Sequence, residues 1–450
     1  MSSNDGLPVP RRYWAVLAIT IGIFMAVIDG VGINVALPAI AGDFGVDESS
    51  AIWVVTSYQL AVTISLFPLA ALGDKLGYRK VYCGGLVVFV AASVVCAFAE
   101  RLDLMIAARA VQGLGGSAVM TVNLALLRFI FPKAKLGRGI AYNTLVVAVS
   151  AAAGPVIAGA ILSIADWHWL FLVNLPLGLL ILPVSILALP LVPPTGRQFD
   201  FVGAALIALA IGIAVLTIDG LGRGYPLGLL TLGVLAGGGL GWAMVRHQNR
   251  SPTPMLAVDL LRIPVIRLSA LTAVCAYVVQ GLSYVSLPFH LHDTMGLPAA
   301  VVGLSMAPWP VGIMLASVLV GRLMGRHSAG LLGTLGLALL VGGAGCILWS
   351  IPLRSLPALV AGMFACGFGF GLFQSPNTMA IISGSPPARS AAASALQSSS
   401  RLVGQTVGAA GAAAIFGLAA AGSSTMIAIT VAVVFAFAGM VFSSMRLLRS

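Results

Sequence analysis

Two residues of opposite charge lie deep within long apolar segments of the sequence. Asp29 precedes Pro38 by about nine residues, which places it roughly 13 Å below the end of a helix. Arg109 follows Asp103 by about six residues, or roughly 9 Å, so the two depths agree within one helical turn. Burial favours the neutral carboxyl whereas a nearby guanidinium favours the ionised one, so their separation sets the proton affinity of Asp29. We therefore predict a proton-coupling pair, with a purely structural ion pair as the alternative.

A third charge inside an apolar segment is Arg401, which lies close to the middle of its segment. A guanidinium at this depth is costly unless it has a partner. It predicts either a contact with an anionic group of a bound molecule, or an arginine that bonds carbonyl groups and orders helix packing. The sequence leaves both interpretations open.

The composition shows which elements must position these charges. Of 450 residues, 8% are charged and 59% are hydrophobic, and the apolar residues recur in blocks of about 20, the length of a membrane-spanning helix. Such composition excludes a soluble enzyme, and the lack of period-two alternation excludes a porin-type barrel. The five cysteines lie inside apolar blocks without metal-ligand spacing, and no HExxH, Walker or GxSxG motif occurs. We predict an all-α integral membrane protein that is not an enzyme and holds no metal or cofactor.

The apolar blocks predict fourteen transmembrane helices. The net charge of +11 comes from short basic clusters between the blocks, which indicates orientation in a membrane rather than nucleic-acid binding. Most of these clusters fall on the side that holds both termini, so we predict a multi-pass protein of the cell membrane, the bacterial inner membrane, with cytoplasmic termini. The spans are expected to start near residues 14, 50, 81, 103, 138, 168, 200, 225, 265, 300, 330, 355, 391 and 423.

A weak internal repeat divides the spans. Spans 1 and 9 share the sequences VALP and VSLP, and spans 4 and 12 share two glycines and an asparagine at the same spacing. We predict two pseudo-symmetric six-helix bundles with two inserted central helices, and a substrate site near the midplane between the bundles. The expected boundaries are an N-terminal tail at 1–12, the first bundle at 13–192, the inserted helices at 193–250, the second bundle at 251–446 and a C-terminal tail at 447–450.

Two further segments have compositions that suit conformational gating. A turn after span 2 holds a carboxylate among cations, which suits a conformational latch, although a solvated basic loop is the plainer interpretation. Span 5 combines a proline kink with packing glycines, which suits a seam between the bundles. The predicted gating residues are Asp74, Lys75, Gly77, Arg79, Gly154, Pro155 and Gly159.

Five stretches of the sequence resemble one known family. They are IDGVGINVALP (28–38), ALGDKLGYRK (71–80), RAVQGLGG (109–116), AAAGPVIAG (151–159) and WHWLFLVNLPLG (167–178). They are similar to motifs of the major facilitator superfamily, and specifically of its fourteen-span drug:proton antiporters. The resemblance covers nearly the whole chain, and the fifth-span stretch is the one that indicates export.

The resemblance implies a cavity formed by spans 1, 2, 4, 5, 9, 10, 12 and 13. Residues that it places in this cavity are Asn34, Tyr58, Gln59, Asn143, Tyr277, Gln280, Tyr284, Met306, Trp309, Phe373, Gln374 and Asn377, together with Arg401. One departure from the loop motif is Tyr78, which stands where the family usually has arginine.

The function implied is proton-coupled efflux of hydrophobic or amphiphilic small molecules by alternating access. Monovalent lipophilic cations such as drugs are the expected cargo, because Asp29 offers a negative charge. The expected partners are membrane lipid, the cargo and protons, with the protein acting as a monomer. The alternatives are export of a neutral or anionic natural product, a proton:solute symporter, and a membrane scaffold without transport.

Overall fold

The computed structural model describes residues 6–132, 135–193, 200–250, 258–324, 328–386, 389–419 and 422–447. The predicted tails and the boundaries near 193 and 251 lie partly outside these ranges. The helices of the first part of the chain are α1 (Val9–Phe44), α2 (Glu48–Leu76), α3 (Tyr78–Ala97), α4 (Leu102–Ile130), α5 (Leu136–Ile164), α6 (His168–Leu172), α7 (Asn174–Ala188), α8 (Phe201–Gly222) and α9 (Leu227–Arg250). Those of the second part are α10 (Pro264–Phe289), α11 (Ala299–Met306), α12 (Pro308–Leu323), α13 (Ala329–Leu353), α14 (Leu356–Ser383), α15 (Ser390–Leu418) and α16 (Ser424–Leu447).

These helices give fourteen spans long and apolar enough to cross a membrane within the described ranges, as the sequence predicts. Two spans are each made of two α-helices: α6 with α7 forms span 6, and α11 with α12 forms span 10. In span 9, α10 continues into a π-helical turn at His290–Thr294. Spans 1 to 5 are α1 to α5, spans 7 and 8 are α8 and α9, span 9 is α10, and spans 11 to 14 are α13 to α16. Because the number is even, the chain enters span 1 and leaves span 14 on one side, here called the terminal side. The opposite side is called the far side.

Packing between the spans reproduces the internal repeat. Within the first bundle, span 1 packs against spans 5 and 6, and span 4 packs against spans 2 and 3. Within the second, span 9 packs against spans 13 and 14, and span 12 packs against spans 10 and 11. Every one of these pairs has its counterpart eight spans later, so the fold is the expected pair of pseudo-symmetric six-helix bundles.

The two bundles meet most closely on the far side. Span 5 packs chiefly against α11, the far half of span 10, and much less against α12. A Cβ atom added to Gly303 of span 10 would lie 2.2 Å from the carbonyl oxygen of Pro155, and one added to Gly159 would lie 2.8 Å from that of Ala299. On the other flank, the hydroxyl of Ser49 donates to the carbonyl of Ala413 at 2.8 Å. The far side of the interface is therefore closed.

The inserted helices occupy unequal positions. Span 7 packs against span 2 of one bundle and span 13 of the other, whereas span 8 packs mainly against span 7. The indole nitrogen of Trp53 in span 2 donates to Asp219 of span 7 at 2.6 Å. A Cβ atom on Gly222 would lie 2.4 Å from the Cα atom of Ala414 in span 13. Span 7 thus bridges both bundles at their far ends.

Candidate functional site

The centre of the first bundle is the ion pair of Asp29 and Arg109. Nη1 of Arg109 donates to Oδ2 of Asp29 at 2.5 Å, and the two side chains are 0% and 3% exposed, respectively. The contact expected from their matching depths is present. Because both side chains are enclosed, neither charge is screened by solvent, and the pair interacts more strongly than a surface ion pair does.

Neutral amides complete the shell around the carboxylate. Oδ1 of Asp29 accepts hydrogen bonds from Nε2 of Gln112 at 2.9 Å and from Nδ2 of Asn174 at 3.3 Å. Both amides also donate to the hydroxyl oxygen of Ser93, at 2.7 and 3.4 Å. The carboxylate is thus held by donors from spans 4 and 6 and sits beside span 3.

The guanidinium of Arg109 is also bound to span 2. Its Nε donates to the carbonyl of Val54 at 3.0 Å, and its carbon lies 4.3 Å from the ring centroid of Tyr58. A second ring, that of Phe171 in span 6, lies 5.6 Å away. These cation–π contacts keep the arginine in place independently of the carboxylate. Arg109 is therefore attached to span 2 through contacts that do not involve the carboxylate.

Sequence reasoning missed three members of this network, namely Ser93, Gln112 and Asn174. Gln112 lies one helical turn after Arg109 in the RAVQGLGG stretch, and that spacing is a usable signal for a shared helix face. Asn174 lies in the WHWLFLVNLPLG stretch that carries the family resemblance. Ser93 lies in an apolar run with no pattern that would single it out.

Four predicted cavity residues form a partly exposed polar group. Nε2 of Gln374 donates to the hydroxyl of Tyr277 at 3.1 Å, which joins spans 12 and 9. Nε2 of Gln405 in span 13 donates to Oε1 of Gln280 at 3.0 Å. Gln280, Gln374 and Arg401 are half-buried, while Tyr277 is buried. This group lies on the second bundle, and we refer to it with Gln405 as the glutamine cluster.

Other predicted cavity residues are enclosed in the packing. Tyr58 is buried beneath Arg109 and donates to the carbonyl of Ala26 at 3.3 Å, so it belongs to the ion-pair site. Met306, Trp309 and Phe373 are completely buried. The expectation that they line an open cavity is wrong for this conformation, because they lie where span 12 packs against spans 9 and 10.

The remaining candidates make local contacts. Nδ2 of Asn34 donates to the carbonyl of Val31 in its own helix at 2.9 Å. Oδ1 of Asn143 in span 5 accepts from Asn123 in span 4 at 2.6 Å. Tyr284 packs edge-on against Trp309, with ring centroids 5.6 Å apart. The half-buried Gln59 lies in span 2, where its carbonyl is 3.5 Å from the hydroxyl of Thr406 across the bundle interface.

Asn377 lies in a second buried polar cluster instead of the cavity. Its Oδ1 accepts from Nη1 of Arg446 at 2.8 Å, and its Nδ2 donates to the carbonyl of Ser269 at 3.0 Å. The same Nη1 donates to the hydroxyl of Ser269 at 2.8 Å, and Nη2 donates to Ser443 at 2.7 Å. Arg446 is only 4% exposed, although its place at the end of the last span suggests an ordinary solvated basic residue.

The loop predicted to act as a latch has a specific contact. The hydroxyl of Tyr78 donates to Asp74 at 2.5 Å, so the tyrosine that replaces the usual arginine still binds this carboxylate. Gly77 has φ of 95°, which favours glycine at this turn. The ammonium of Lys75 lies 5.8 Å from the ring centroid of Phe201, at the start of span 7. Arg79 is half-buried beside this turn.

The glycines predicted in span 5 lie at two helix contacts. A Cβ atom added to Gly32 of span 1 would lie 3.2 Å from the carbonyl oxygen of Gly154, so these two spans approach closely there. Pro155 and Gly159 lie against span 10, at the closed far side. Span 5 therefore joins span 1, which holds Asp29, to the other bundle.

The fold and the buried polar centre define a polytopic helical membrane protein of the transporter class. The chain belongs to the Major Facilitator Superfamily, whose model matches residues 19–409. It is 46% identical over 417 residues to the uncharacterized transporter YebQ of Escherichia coli (strain K12), and the alignment covers 90% of this chain and 89% of that protein. It is 32% identical over 398 residues to the multidrug resistance protein Stp of Mycobacterium tuberculosis (strain ATCC 25618 / H37Rv), covering 87% of this chain and 73% of that protein.

A solved structure of a peptide transporter of the POT type shares the fold. The two superpose with a TM-score of 0.72 over 96% of this chain and 94% of the other, at 16% identity. The predicted family is therefore confirmed, and relatives within it are named for multidrug resistance and drug efflux. The fold and family are those of transporters rather than enzymes.

Proposed function

We propose that this chain is a proton-coupled antiporter that exports hydrophobic or amphiphilic small molecules across the cell membrane. The observation that carries the proposal is the enclosed Asp29 carboxylate, which is bound to Arg109 and to two neutral amides. An ionisable group inside a membrane span is costly and is a functional candidate by default. Drug-efflux names among the relatives support the direction of transport.

Protonation of Asp29 would act on the position of span 1. A neutral carboxyl loses its charge attraction to Arg109, while Arg109 keeps its contacts with Val54 and Tyr58 of span 2. Span 1 also packs against span 5, which closes the far side against span 10. A proton that binds one conformation more tightly than the other shifts the equilibrium between them, and this differential binding is the requirement for coupling.

The direction of the cycle follows from the basic clusters. With the terminal side in the cytoplasm, the conformation described here is closed toward the outside. Cargo binds from the cytoplasm, the bundles rock, and a proton enters from outside to reset the carrier. The proton gradient is the sole energy source in this scheme, and a single chain performs it in lipid without a cofactor.

The experiment compares wild-type protein with Asp29→Asn at equal expression in an efflux-deficient host. A panel of neutral, cationic and anionic inhibitors should show resistance with the wild type and lose it with the variant. Asp219→Asn is the matched control, because Asp219 is buried but lies at the far end of span 7 and binds Trp53 and Arg223. Unchanged resistance in Asp29→Asn, with resistance present in the wild type, would remove this carboxylate from the mechanism.

Everted vesicles separate the antiporter from a symporter. If the vesicles are acidified inside, addition of a transported compound to an antiporter should release protons and raise the internal pH. The Asp29→Asn vesicles should show at least a roughly tenfold slower release, corresponding to about 1.4 kcal/mol in the coupled step. A symporter would not load cargo in exchange for the trapped protons.

A further inference from the structure

The position of Arg401 on span 13 follows from its neighbours on the helix. Gly404 faces span 9, since a Cβ atom there would lie 2.7 Å from Cβ of Tyr277. Leu402 and Thr406, one turn apart, face span 2: Leu402 packs in the core of the first bundle, and the hydroxyl of Thr406 lies 2.8 Å from that of Thr63. Ala414 faces span 7. At 3.6 residues per turn, Arg401 is rotated about 60° from Gly404 toward Leu402.

This rotation places Arg401 roughly opposite the face that meets span 7. Gln405, one turn further along, is rotated about 100° from Gly404 in the same direction and bonds to Gln280 of span 9. Arg401 therefore lies between the sides of span 13 that face the two bundles, on the surface that lines the space between them. It is about nine residues, or roughly 13 Å, inside the terminal end of its span.

In the part of the chain that the structure describes, the guanidinium of Arg401 is an unpaired charge on the surface between the bundles. In the described ranges, its guanidinium makes no hydrogen bond and no ion pair, and the side chain is half-buried rather than sealed. The other two charges at depth, Asp29 and Arg109, bind each other and are enclosed. The sequence after Asp293 contains no acidic residue at all. Among the described residues, Arg401 thus presents a half-buried positive charge that has no counter-ion.

The surroundings of Arg401 suit a molecule with an apolar body and one negative group. The glutamine cluster offers the amides of the half-buried Gln280, Gln374 and Gln405. The rings of Tyr277 and Phe370, which pack edge-on at 4.9 Å between centroids, are buried next to these amides and give the site an apolar base. A guanidinium presents a planar set of donors that matches a carboxylate with two parallel bonds. The same charge repels a lipophilic cation, which would also have to displace Arg109 to reach Asp29.

We propose that Arg401 is the recognition residue for a carboxylate on an amphiphilic organic anion, which is the preferred cargo of this transporter. This inference rests on the proposed export function and replaces the cationic cargo expected from the sequence. Arg401 lies on the second bundle and Asp29 on the first, at different depths. The cargo and the proton consequently bind different groups, and they are coupled through rocking rather than through competition for one charge.

The test uses three dyes that share one fluorophore and differ in charge. Dansylglycine is anionic, dansyl amide is neutral and dansylcadaverine is cationic. Their accumulation in energised everted vesicles is measured with the wild type, Arg401→Gln, Arg401→Lys and the control Arg101→Gln. Arg101 is an exposed arginine that pairs with Asp103 in a far-side loop.

We expect the wild type to accumulate dansylglycine in preference to the other two dyes. Arg401→Gln should lower dansylglycine accumulation by roughly ten- to a hundredfold, the range of a charge-assisted hydrogen bond. Arg401→Lys should retain part of the accumulation, and Arg101→Gln should leave it unchanged. The wild-type comparison of dyes needs no substitution, so it tests the charge preference even if a variant fails to fold.

Preferred accumulation of dansylcadaverine or dansyl amide would overturn the inference and leave the export function standing. Undiminished dansylglycine accumulation by folded Arg401→Gln would also overturn it. Accumulation of none of the three dyes by the wild type would count against export itself, and the cargo assignment would fall with it.

Discussion

The two bundles each contain a buried arginine cluster, and the clusters use equivalent helices. In the first bundle, Asp29, Ser93, Arg109 and Asn174 come from spans 1, 3, 4 and 6. In the second, Ser269, Thr334, Asn377 and Arg446 come from spans 9, 11, 12 and 14, with Thr334 joined through Ser443. The same four spans of each bundle therefore supply a buried arginine and its polar partners.

The clusters differ in one chemical respect. The first holds a carboxylate, whereas the acceptors of Arg446 among the described residues are neutral hydroxyl and amide oxygens. A carboxylate can take up a proton and so change the charge of its cluster, but an amide or a hydroxyl cannot do so near neutral pH. The clusters also lie at different depths, one in the far half of its spans and the other near the terminal side. We infer that proton uptake changes the charge of the first cluster, whereas the second cluster only stabilises the packing of its bundle.

The largest difference between the two clusters should appear when the arginine of each is replaced by a neutral residue. Arg109→Gln leaves the enclosed Asp29 without its cation, which we expect to cost about 3–5 kcal/mol in the free energy of unfolding. The double variant Asp29→Asn/Arg109→Gln should recover most of this loss, because no buried charge is left unpaired. It should still not couple transport to the proton gradient. Thermal unfolding in detergent measures the stability, and a double variant as unstable as Arg109→Gln would contradict the pairing argument.

Arg446→Gln should be less damaging. Loss of the guanidinium removes hydrogen bonds to Ser269, Asn377 and Ser443 but leaves no opposite charge unpaired. We therefore expect a decrease of about 2 kcal/mol in the free energy of unfolding. Transport should keep its dependence on the proton gradient in proportion to the folded protein that remains. Arg446→Lys is the matched variant, and it should lose less. A specific loss of proton coupling in well-folded Arg446→Gln would show that the second cluster also takes part in switching.

Hydropathy and charge explain why one cluster could be predicted and the other could not. Asp29 and Arg109 stand out because they are charges in the interior of apolar segments, and their depths can be compared from the sequence. Arg446 lies at the end of the last span, and basic residues are common at the ends of spans, so the sequence does not indicate that it is buried. Its partners are neutral, and neutral polar residues occur throughout these helices.

Side-chain direction limited the prediction of the cavity. The fourteen spans and the two bundles follow from the length of the apolar runs and from the repeat, but these patterns do not define the rotation of a helix that is apolar on all sides. Asn377 illustrates the problem, because its spacing from Gly367 and Gly369 marks the repeat without showing which neighbour it faces. Trp309 likewise has the chemistry of a cavity residue and is completely buried between spans 9, 10 and 12.

Introducing a carboxylate into the second cluster tests whether the carboxylate accounts for the difference between the clusters. Asn377→Asp keeps the acceptor for Nη1 of Arg446 and loses the donor to the carbonyl of Ser269. We expect an ion pair that raises the unfolding free energy by about 1–2 kcal/mol at neutral pH, offset in part by the lost bond. This stabilisation is present while the introduced carboxylate is ionised and disappears as the pH falls and it takes up a proton. Melting temperatures at pH 7 and pH 5 measure the effect, with Asn123→Asp as the control on the other bundle.

The smallest expected difference concerns one hydroxyl in each cluster. Ser93→Ala removes the acceptor shared by Gln112 and Asn174, and Ser443→Ala removes an acceptor of Arg446. Each should lower the unfolding free energy by about 1 kcal/mol, so stability alone does not distinguish them. Only Ser93→Ala frees the amides that hold the ionised Asp29, so only that variant should shift the pH at which proton-driven transport is half-maximal. Equal pH profiles for the two variants would mean that the amides position Asp29 without setting its proton affinity, and the switch would then consist of Asp29 and Arg109 alone.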